Sequence, residues 1–257
     1  MEDSIFEFIR YDRAHGVGTL ILNRPPVNVI NISMLRELEG VLQKAGGDPE
    51  LKVLQLRAEG KLFSAGVDVA DHTPDRVDEM IKLFDRVCRS LAEFPVPTIA
   101  VVQGHALGGG CELVICCDMA WMADAATIGQ PEIKLAVIAP IAALRLPAIV
   151  GPRWAAQILF SGEPVEAQHA KNIGLVNGTG SVDEIDRAVA EVTEQLTGLS
   201  ASATRVNKRG YLIGMRGWQS AVEEMEMLYL DELMELDDTQ EGLNAFIEKR
   251  EPVWKNK

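Results

Sequence analysis

The chain has 257 residues, 47% of them hydrophobic and 25% charged, with a formal net charge of -13. That length and balance suit one domain with an appendage and argue against a repeat array, a disordered chain or a membrane protein, since no run of roughly 18 apolar residues occurs. The acidic surplus argues against a nucleic-acid binder, which needs a basic footprint to displace counterions.

The start, Met1-Glu-Asp-Ser, lacks the basic and apolar regions of a signal peptide, so a cytoplasmic location is expected. Phe6 to Tyr11 and Val17 to Asn23 read as two strands joined by a turn at His15-Gly16. Ser33 is expected to cap a helix to about Ala45, with Met34, Leu35, Leu38, Val41 and Leu42 on one face and Gly46-Gly47 ending it. Val53 to Leu56 is a short buried strand. Pro74 opens a long helix in which Val77, Met80, Ile81, Phe84, Val87, Cys88 and Leu91 recur at helical spacing, and Pro95 and Pro97 stop it.

Thr98 to Val102 is an apolar strand, Gly108-Gly-Gly110 leads into an apolar segment ending near Asp118, and Met119 to Ala123 is another strand. Strands alternating with helices predict an α/β fold with buried sheets. From Ser181 onward the pattern is helical, over Val182 to Leu196, Ala201 to Ile213, Ser220 to Leu236 and Thr239 to Lys249. Residues 1–195 are therefore read as a core and residues 196–257 as a helical region that must bury an amphipathic face. Cys88, Cys111, Cys116 and Cys117 fit neither a disulfide framework nor zinc spacing, so buried free thiols and no metal are expected.

Two glycine-containing loops follow strands: Phe63-Ser-Ala-Gly-Val-Asp68 and Gly104-His-Ala-Leu-Gly-Gly-Gly-Cys-Glu112. Glycine lets backbone approach a ligand, and a helix starting at the triplet aims unpaired N–H groups at whatever sits there, which suits an oxyanion. The second loop lacks the G-K-[ST] ending of a P-loop and does not fit G-x-G-x-x-G. Ser64 lies in F-S-A-G rather than in a nucleophile elbow. Tight turns without a ligand remain the plain alternative for either loop alone. His105 reads as hydrogen-bonded structure, His72 is ambiguous, Asp68 reads as ordering its loop, and Trp121 and Trp154 read as core.

Together with Gly129-Gln-Pro-Glu-Ile133, the two loops resemble the crotonase (enoyl-CoA hydratase/isomerase) superfamily in order and spacing, from Leu22-Asn-Arg-Pro25 to Phe246-Ile-Glu-Lys-Arg250. The resemblance implies a spiral of ββα units with a C-terminal helical trimerisation region, assembled as a homotrimer or as a hexamer of two trimers. It implies an acyl-CoA substrate, with no cofactor apart from the coenzyme A that the substrate carries. The oxyanion hole would be the N–H groups of Val67 and Gly109. Glu112 and Glu132 match the two glutamates of the family's hydratases, where one carboxyl handles water and the other delivers a proton to carbon. Coenzyme A would run along the Arg24-Pro-Pro-Val-Asn28 loop, contacting Pro26, Val27 and Ala65, with Arg24 and Lys249 as phosphate partners.

Two departures stand out. Basic residues common in the family after N-R-P and at Ala70 are absent. The glycine-rich stretch that usually follows the second glutamate reads Ala136-Val-Ile-Ala-Pro-Ile-Ala-Ala143 here, so a compact or cyclic acyl group is expected. That stretch and its neighbours resemble the cyclohexa-1,5-diene-1-carbonyl-CoA hydratases of anaerobic aromatic degradation. A general short-chain enoyl-CoA hydratase, an enoyl-CoA isomerase, and a non-enzymatic acyl-CoA or RNA-binding scaffold stay open as alternatives.

Overall fold

A computed structural model describes residues 6–214, 222 and 226–253. The spine is a six-stranded sheet in the order β1-β2-β3-β4-β6-β9. Strands β1 (Ile9–Ala14) and β2 (Val17–Leu22) pair antiparallel, and β3 (Val53–Ala58), β4 (Thr98–Val102), β6 (Met119–Ala123) and β9 (Gly178–Gly180) continue in parallel. The positive φ of His15 (50°) and Gly16 (80°) fixes a two-residue turn. That turn sets the register Ala14↔Val17 to Ile9↔Leu22, so β1 lies three residues later than its side-chain alternation suggests. A second sheet of three short strands, β5 (Ala106–Leu107), β7 (Thr127–Gly129) and β8 (Val165–Glu166), lies beside it.

Helix α1 (Ile32–Gly46) buries Met34, Leu35, Leu38, Val41 and Leu42, as its spacing predicts. Its cap is Asn31 rather than Ser33: Asn31 has extended backbone, and its Oδ1 accepts from Met34 N at 2.9 Å. Helix α2 (Val77–Ala92) packs on α1 with the expected apolar face, and it starts at Val77 rather than at Pro74, after a separate 3-10 turn over residues 69–72. Asp85 also lies on the buried face of α2. Helix α3 (Gly109–Cys116) is fully buried, and the four cysteines are buried free thiols.

Helix α4 (Pro140–Ser161) is absent from the sequence reading. Pro147, Pro152 and a Gly151 with φ of 77° interrupt its pattern and kink it. Trp154 is exposed on α4, edge-on to His169, and does not join the core; Trp121 is half-buried against it.

The short α5 (Ala167–Asn172) is followed by α6 (Val182–Thr197), which opens on a capping box between Ser181 and Glu184. Then come α7 (Ala201–Gly214) and α8 (Asp237–Glu248). The helix expected over Ser220 to Leu236 lies largely outside the described residues. Within that span the chain makes a π turn, Leu228–Glu232, and a 3-10 turn, Leu233–Glu235. Buried Lys208 on α7 pairs with Asp118, whose other oxygen accepts from Thr98 N at 2.8 Å. On α8, Thr239 Oγ1 donates to Ala136 O at 2.9 Å. These bonds fasten the C-terminal helices to the sheet and to the segment after Glu132.

Candidate active site

The two glycine loops meet face to face. Ile30 N donates to Gly66 O and Asp68 N to Ile30 O, both at 2.9 Å, so Val67 rides beside Ile30 with its own N–H left over. Buried Ser64 braces the loop: its Oγ donates to Asn28 O at 2.7 Å and accepts from Gly66 N at 3.1 Å. Across from it, Gly109 is the first residue of α3, where an amide has no partner inside the helix. Among the described residues, neither the Val67 nor the Gly109 N–H donates to a protein acceptor.

The glycines are required by proximity. A Cβ on Gly109 would lie 2.6 Å from Val67 Cγ2, and one on Gly108 would lie 2.7 Å from Glu132 Oε1. Gly66 and Gly108 also have positive φ, 103° and 55°, which side chains resist. The close packing therefore brings two free N–H groups and the Glu132 carboxyl to one spot.

Glu112 sits in the first turn of α3 and is 3% exposed. It does not cap its own helix; its Oε1 accepts from Ala142 N, at the start of α4, at 2.9 Å. Burial first, and then the charge of Glu132, push its carboxyl well above the usual range. Glu132 belongs to the 3-10 turn Pro131–Leu135, and burial pushes its pKa up to about 7. The amide of buried Gln130, with its nitrogen toward Glu132, reaches both carboxyl oxygens at 3.1 Å. At neutral pH the pair therefore keeps at least one proton, as acid–base work by two carboxyls requires.

Both glutamates, Val67, Gly109 and Ala65 line one cavity of about 320 Å³. Its apolar walls include Phe84 and Ile81 of α2, Val137 and Ile138 of the stretch after Glu132, and Tyr229, Leu243 and Phe246 from the C-terminal helices. A second apolar hollow of about 280 Å³, bounded by Ala143, Leu159 and Phe160, shares Glu132, Val137 and Ile138 with the first.

Arg24, Pro26 and Val27 lie in a separate hollow, joined to the cavity through Ala65 N, which donates to Val27 O at 2.9 Å. The Arg24 guanidinium stands over the Phe8 ring, donates to Val29 O at 2.9 Å and lies 3.7 Å from Asp68. Lys249 is exposed at the end of α8 and lines neither space. Asp68 caps the 3-10 turn through Ala70 N, so it orders its loop as expected. His105 is structural, with Nδ1 3.0 Å from Thr127 N. His72 lines the cavity; its Nδ1 lies 3.1 Å from Asp68 O, and burial lowers its pKa.

Sequence reasoning missed Tyr229, Gln130, Ala142 and Asp85. Asp85 carried a signal: it stands at helical spacing between Ile81 and Cys88, on the side that the apolar pattern buries. Its Oδ1 is buried without a hydrogen-bond partner, and burial pushes its pKa up to about 7.

No described helix is long and apolar enough to cross a membrane, and no group of three or more His, Cys, Asp or Glu among the described residues could hold a metal ion. Residues 12–257 match the enoyl-CoA hydratase/isomerase family model. The chain is 34% identical to a cyclohexa-1,5-dienecarbonyl-CoA hydratase of Thauera aromatica, covering 96% of this chain and 95% of that one. It is 32% identical to a crotonyl-CoA hydratase of Syntrophomonas wolfei, covering 95% and 96%. Among solved structures it matches an enoyl-CoA hydratase from Mycobacterium avium subsp. paratuberculosis with a TM-score of 0.86 at 25% identity, over 98% of this chain and all of that one. An enoyl-CoA hydratase/isomerase from Xanthobacter autotrophicus gives 0.85 at 29%, over 96% and 98%. The α/β core with its C-terminal helices is thus the crotonase fold, and the chain belongs to the enoyl-CoA hydratase/isomerase family, as an acyl-CoA hydratase.

Proposed function

We propose that this chain adds water to a conjugated cyclic acyl-CoA thioester, converting cyclohexa-1,5-diene-1-carbonyl-CoA to 6-hydroxycyclohex-1-ene-1-carbonyl-CoA in anaerobic aromatic degradation. The observation that carries the reading is the joint position of two raised-pKa carboxyls and two unpaired N–H groups in one apolar cavity. The thioester oxygen takes the Val67 and Gly109 N–H groups, which stabilise the enolate-like charge that develops as water adds. Losing one such donor costs roughly 3 kcal/mol of barrier. One of Glu112 and Glu132 accepts a proton from water while the other delivers one to carbon.

Val137, Ile138 and Pro140 put branched or rigid bulk along one wall, in a stretch poorer in glycine than is usual, which favours a compact ring over a long chain. Coenzyme A runs past Ala65 to the Pro26-Val27 hollow. Because Arg24 is held by Val29 O and Asp68, its phosphate contact requires that it swing away, or that Lys249 serve from a neighbouring copy in a homotrimer or a hexamer of trimers. The enzyme works in the cytoplasm without a resident cofactor.

The crotonyl-CoA hydratase relative supports a second reading, short linear enoyl-CoA hydration. A panel of cyclic and linear enoyl-CoA esters, with mass-spectrometric detection of added water, decides between them. Fast turnover of the cyclic dienoyl ester and poor turnover of crotonyl-CoA is the expected result; the reverse refutes the ring specificity, and product formed without solvent oxygen would mean isomerisation.

A further inference from the structure

The peptide between Gly66 and Val67 carries one of the two proposed oxyanion donors, and its aim is fixed from the opposite end. A trans peptide points its C=O and its N–H in opposite directions. Gly66 O accepts from Ile30 N at 2.9 Å, so the Val67 N–H is turned away from Ile30. Gly66 has φ of 103° and no Cβ to bias it, which leaves this peptide free to rotate unless other groups hold it.

Buried Ser64 supplies that hold. Its Oγ accepts from Gly66 N at 3.1 Å and donates to Asn28 O at 2.7 Å. Asn28 is a firm anchor for it. Buried, with left-handed backbone (φ 50°), Asn28 donates through Nδ2 to Glu59 O at 2.8 Å and Leu62 O at 3.0 Å, and its Oδ1 accepts from Arg24 N at 2.8 Å. The backbone of Ser64 meets the other glycine loop: its N donates to His105 O at 3.1 Å and its O accepts from Leu107 N at 3.0 Å. Ser64 also packs so tightly on α3 that a Cβ on Gly110 would lie 2.7 Å from its Cβ. One residue thus joins the two halves of the donor pair, at a place where a Cβ on Gly66 would lie 3.5 Å from Gly109 N.

We infer, building on the reading of Val67 and Gly109 as donors to the thioester oxygen, that the Ser64 hydroxyl sets the aim and spacing of those two N–H groups. Ser64 does not line the cavity, so it acts through the Gly66–Val67 peptide and is a positioning residue. Removing its hydroxyl takes this bond from two backbone groups, Gly66 N–H and Asn28 C=O, a loss the loop can make good only by moving.

The test pairs turnover with the state of the bound carbonyl. On whichever of crotonyl-CoA and the cyclic dienoyl-CoA the native protein hydrates, Ser64→Ala is expected to lower kcat about tenfold or more with KM within about twofold. In parallel, butyryl-CoA and cyclohexanecarbonyl-CoA, saturated esters labelled with carbon-13 at the carbonyl, are bound and their C=O stretch is read by infrared difference spectroscopy. Donation from two N–H groups lowers that frequency on the native protein relative to the free ester, and Ser64→Ala is expected to lose about half or more of the shift. A fall in kcat with the full shift retained would mean that Ser64 serves only the fold, and an unchanged kcat would mean that the loop holds itself; either overturns the inference. Ser64→Cys is the second variant, because a thiol fills the same space but donates and accepts weakly. If Ser64→Ala does not fold, the same paired loss in Ser64→Cys supports the inference, and a native shift in that variant overturns it. A native protein that binds the esters without any carbonyl shift overturns the donor reading itself, which sets that failure apart.

Discussion

The two walls of the cavity are built by different means. One, formed by residues 63–68 and the start of α3, offers backbone: glycines at van der Waals contact, two spare N–H groups, and Glu112 clamped by the Ala142 N–H. The other, formed by Pro131–Leu135, the stretch to Pro140 and the C-terminal helices, offers side chains: Glu132, Val137, Ile138, Tyr229 and Leu243. The backbone wall tolerates almost no added atom, whereas the side-chain wall can be recut residue by residue. On the proposed mechanism the two N–H donors sit on one side of the space and the residues that shape the acyl pocket on the other, with one carboxyl on each.

The sharpest way to break this contrast is to remove a carboxyl from each wall. Glu112→Gln and Glu132→Gln are each expected to lower kcat by roughly 10²- to 10⁴-fold in a water-addition assay. A loss within about tenfold for either would sink the two-carboxylate mechanism. Next comes the backbone wall: Gly109→Ala drives a methyl to 2.6 Å from Val67 Cγ2 and 3.2 Å from the Phe84 ring. A kcat about 10²-fold lower is expected, with about 1–3 kcal/mol lost in urea unfolding. Full activity in that variant would show that the two N–H groups need not lie so close.

The pH profile sharpens the comparison more gently. Glu132 ionises near pH 7 and Glu112 well above the carboxyl range, so hydration should rise with pH through about 7 and fall again once both are ionised. Each limb should change by up to about tenfold per pH unit and belongs to the pair rather than to one residue. A profile flat from pH 5 to 9 would contradict it.

The smallest effect is on stability. Asp85 has a folded pKa of about 7, above that of an unfolded aspartate, so between these values the folded chain binds more protons. Its stabilisation is complete at acid pH and is lost as pH rises through about 7. Asp85→Asn should therefore raise stability at pH 8 by about 1–3 kcal/mol and by clearly less at pH 5, where only part of the stabilisation has been lost. Equal shifts in chemical denaturation at both pH values would rule out the titration.

The backbone wall was largely readable in the sequence, because its signals are local. Three consecutive glycines, the F-S-A-G turn and the apolar spacing of α2 each announce themselves within a dozen residues. The side-chain wall was readable only at Glu132 and the Ala136 to Ala143 stretch. Helix α4 hides behind Pro147, Gly151 and Pro152, and the strands of the small sheet have only two or three residues, too short for alternation to register. Tyr229 joins the cavity that Glu112 and Glu132 line only after the whole chain has folded, so nothing in its own neighbourhood marks it. The Asn31 cap was missed for a subtler reason: Ser33 has the right chemistry, but Asn31 has the extended backbone that lets a side chain turn back to Met34 N. Trp154 was misread because an apolar neighbourhood in sequence need not be one in space.

The shared boundary between the two apolar hollows has a consequence for how such a protein diversifies. Val137 and Ile138 border both spaces, one beside the carboxyls and one leading toward Leu159 and Phe160. Trimming that partition would open a single longer chamber while leaving the glycine loops and both glutamates where they are. A lineage could thus exchange compact acyl groups for extended ones by one or two codon changes, with its reaction machinery inherited intact.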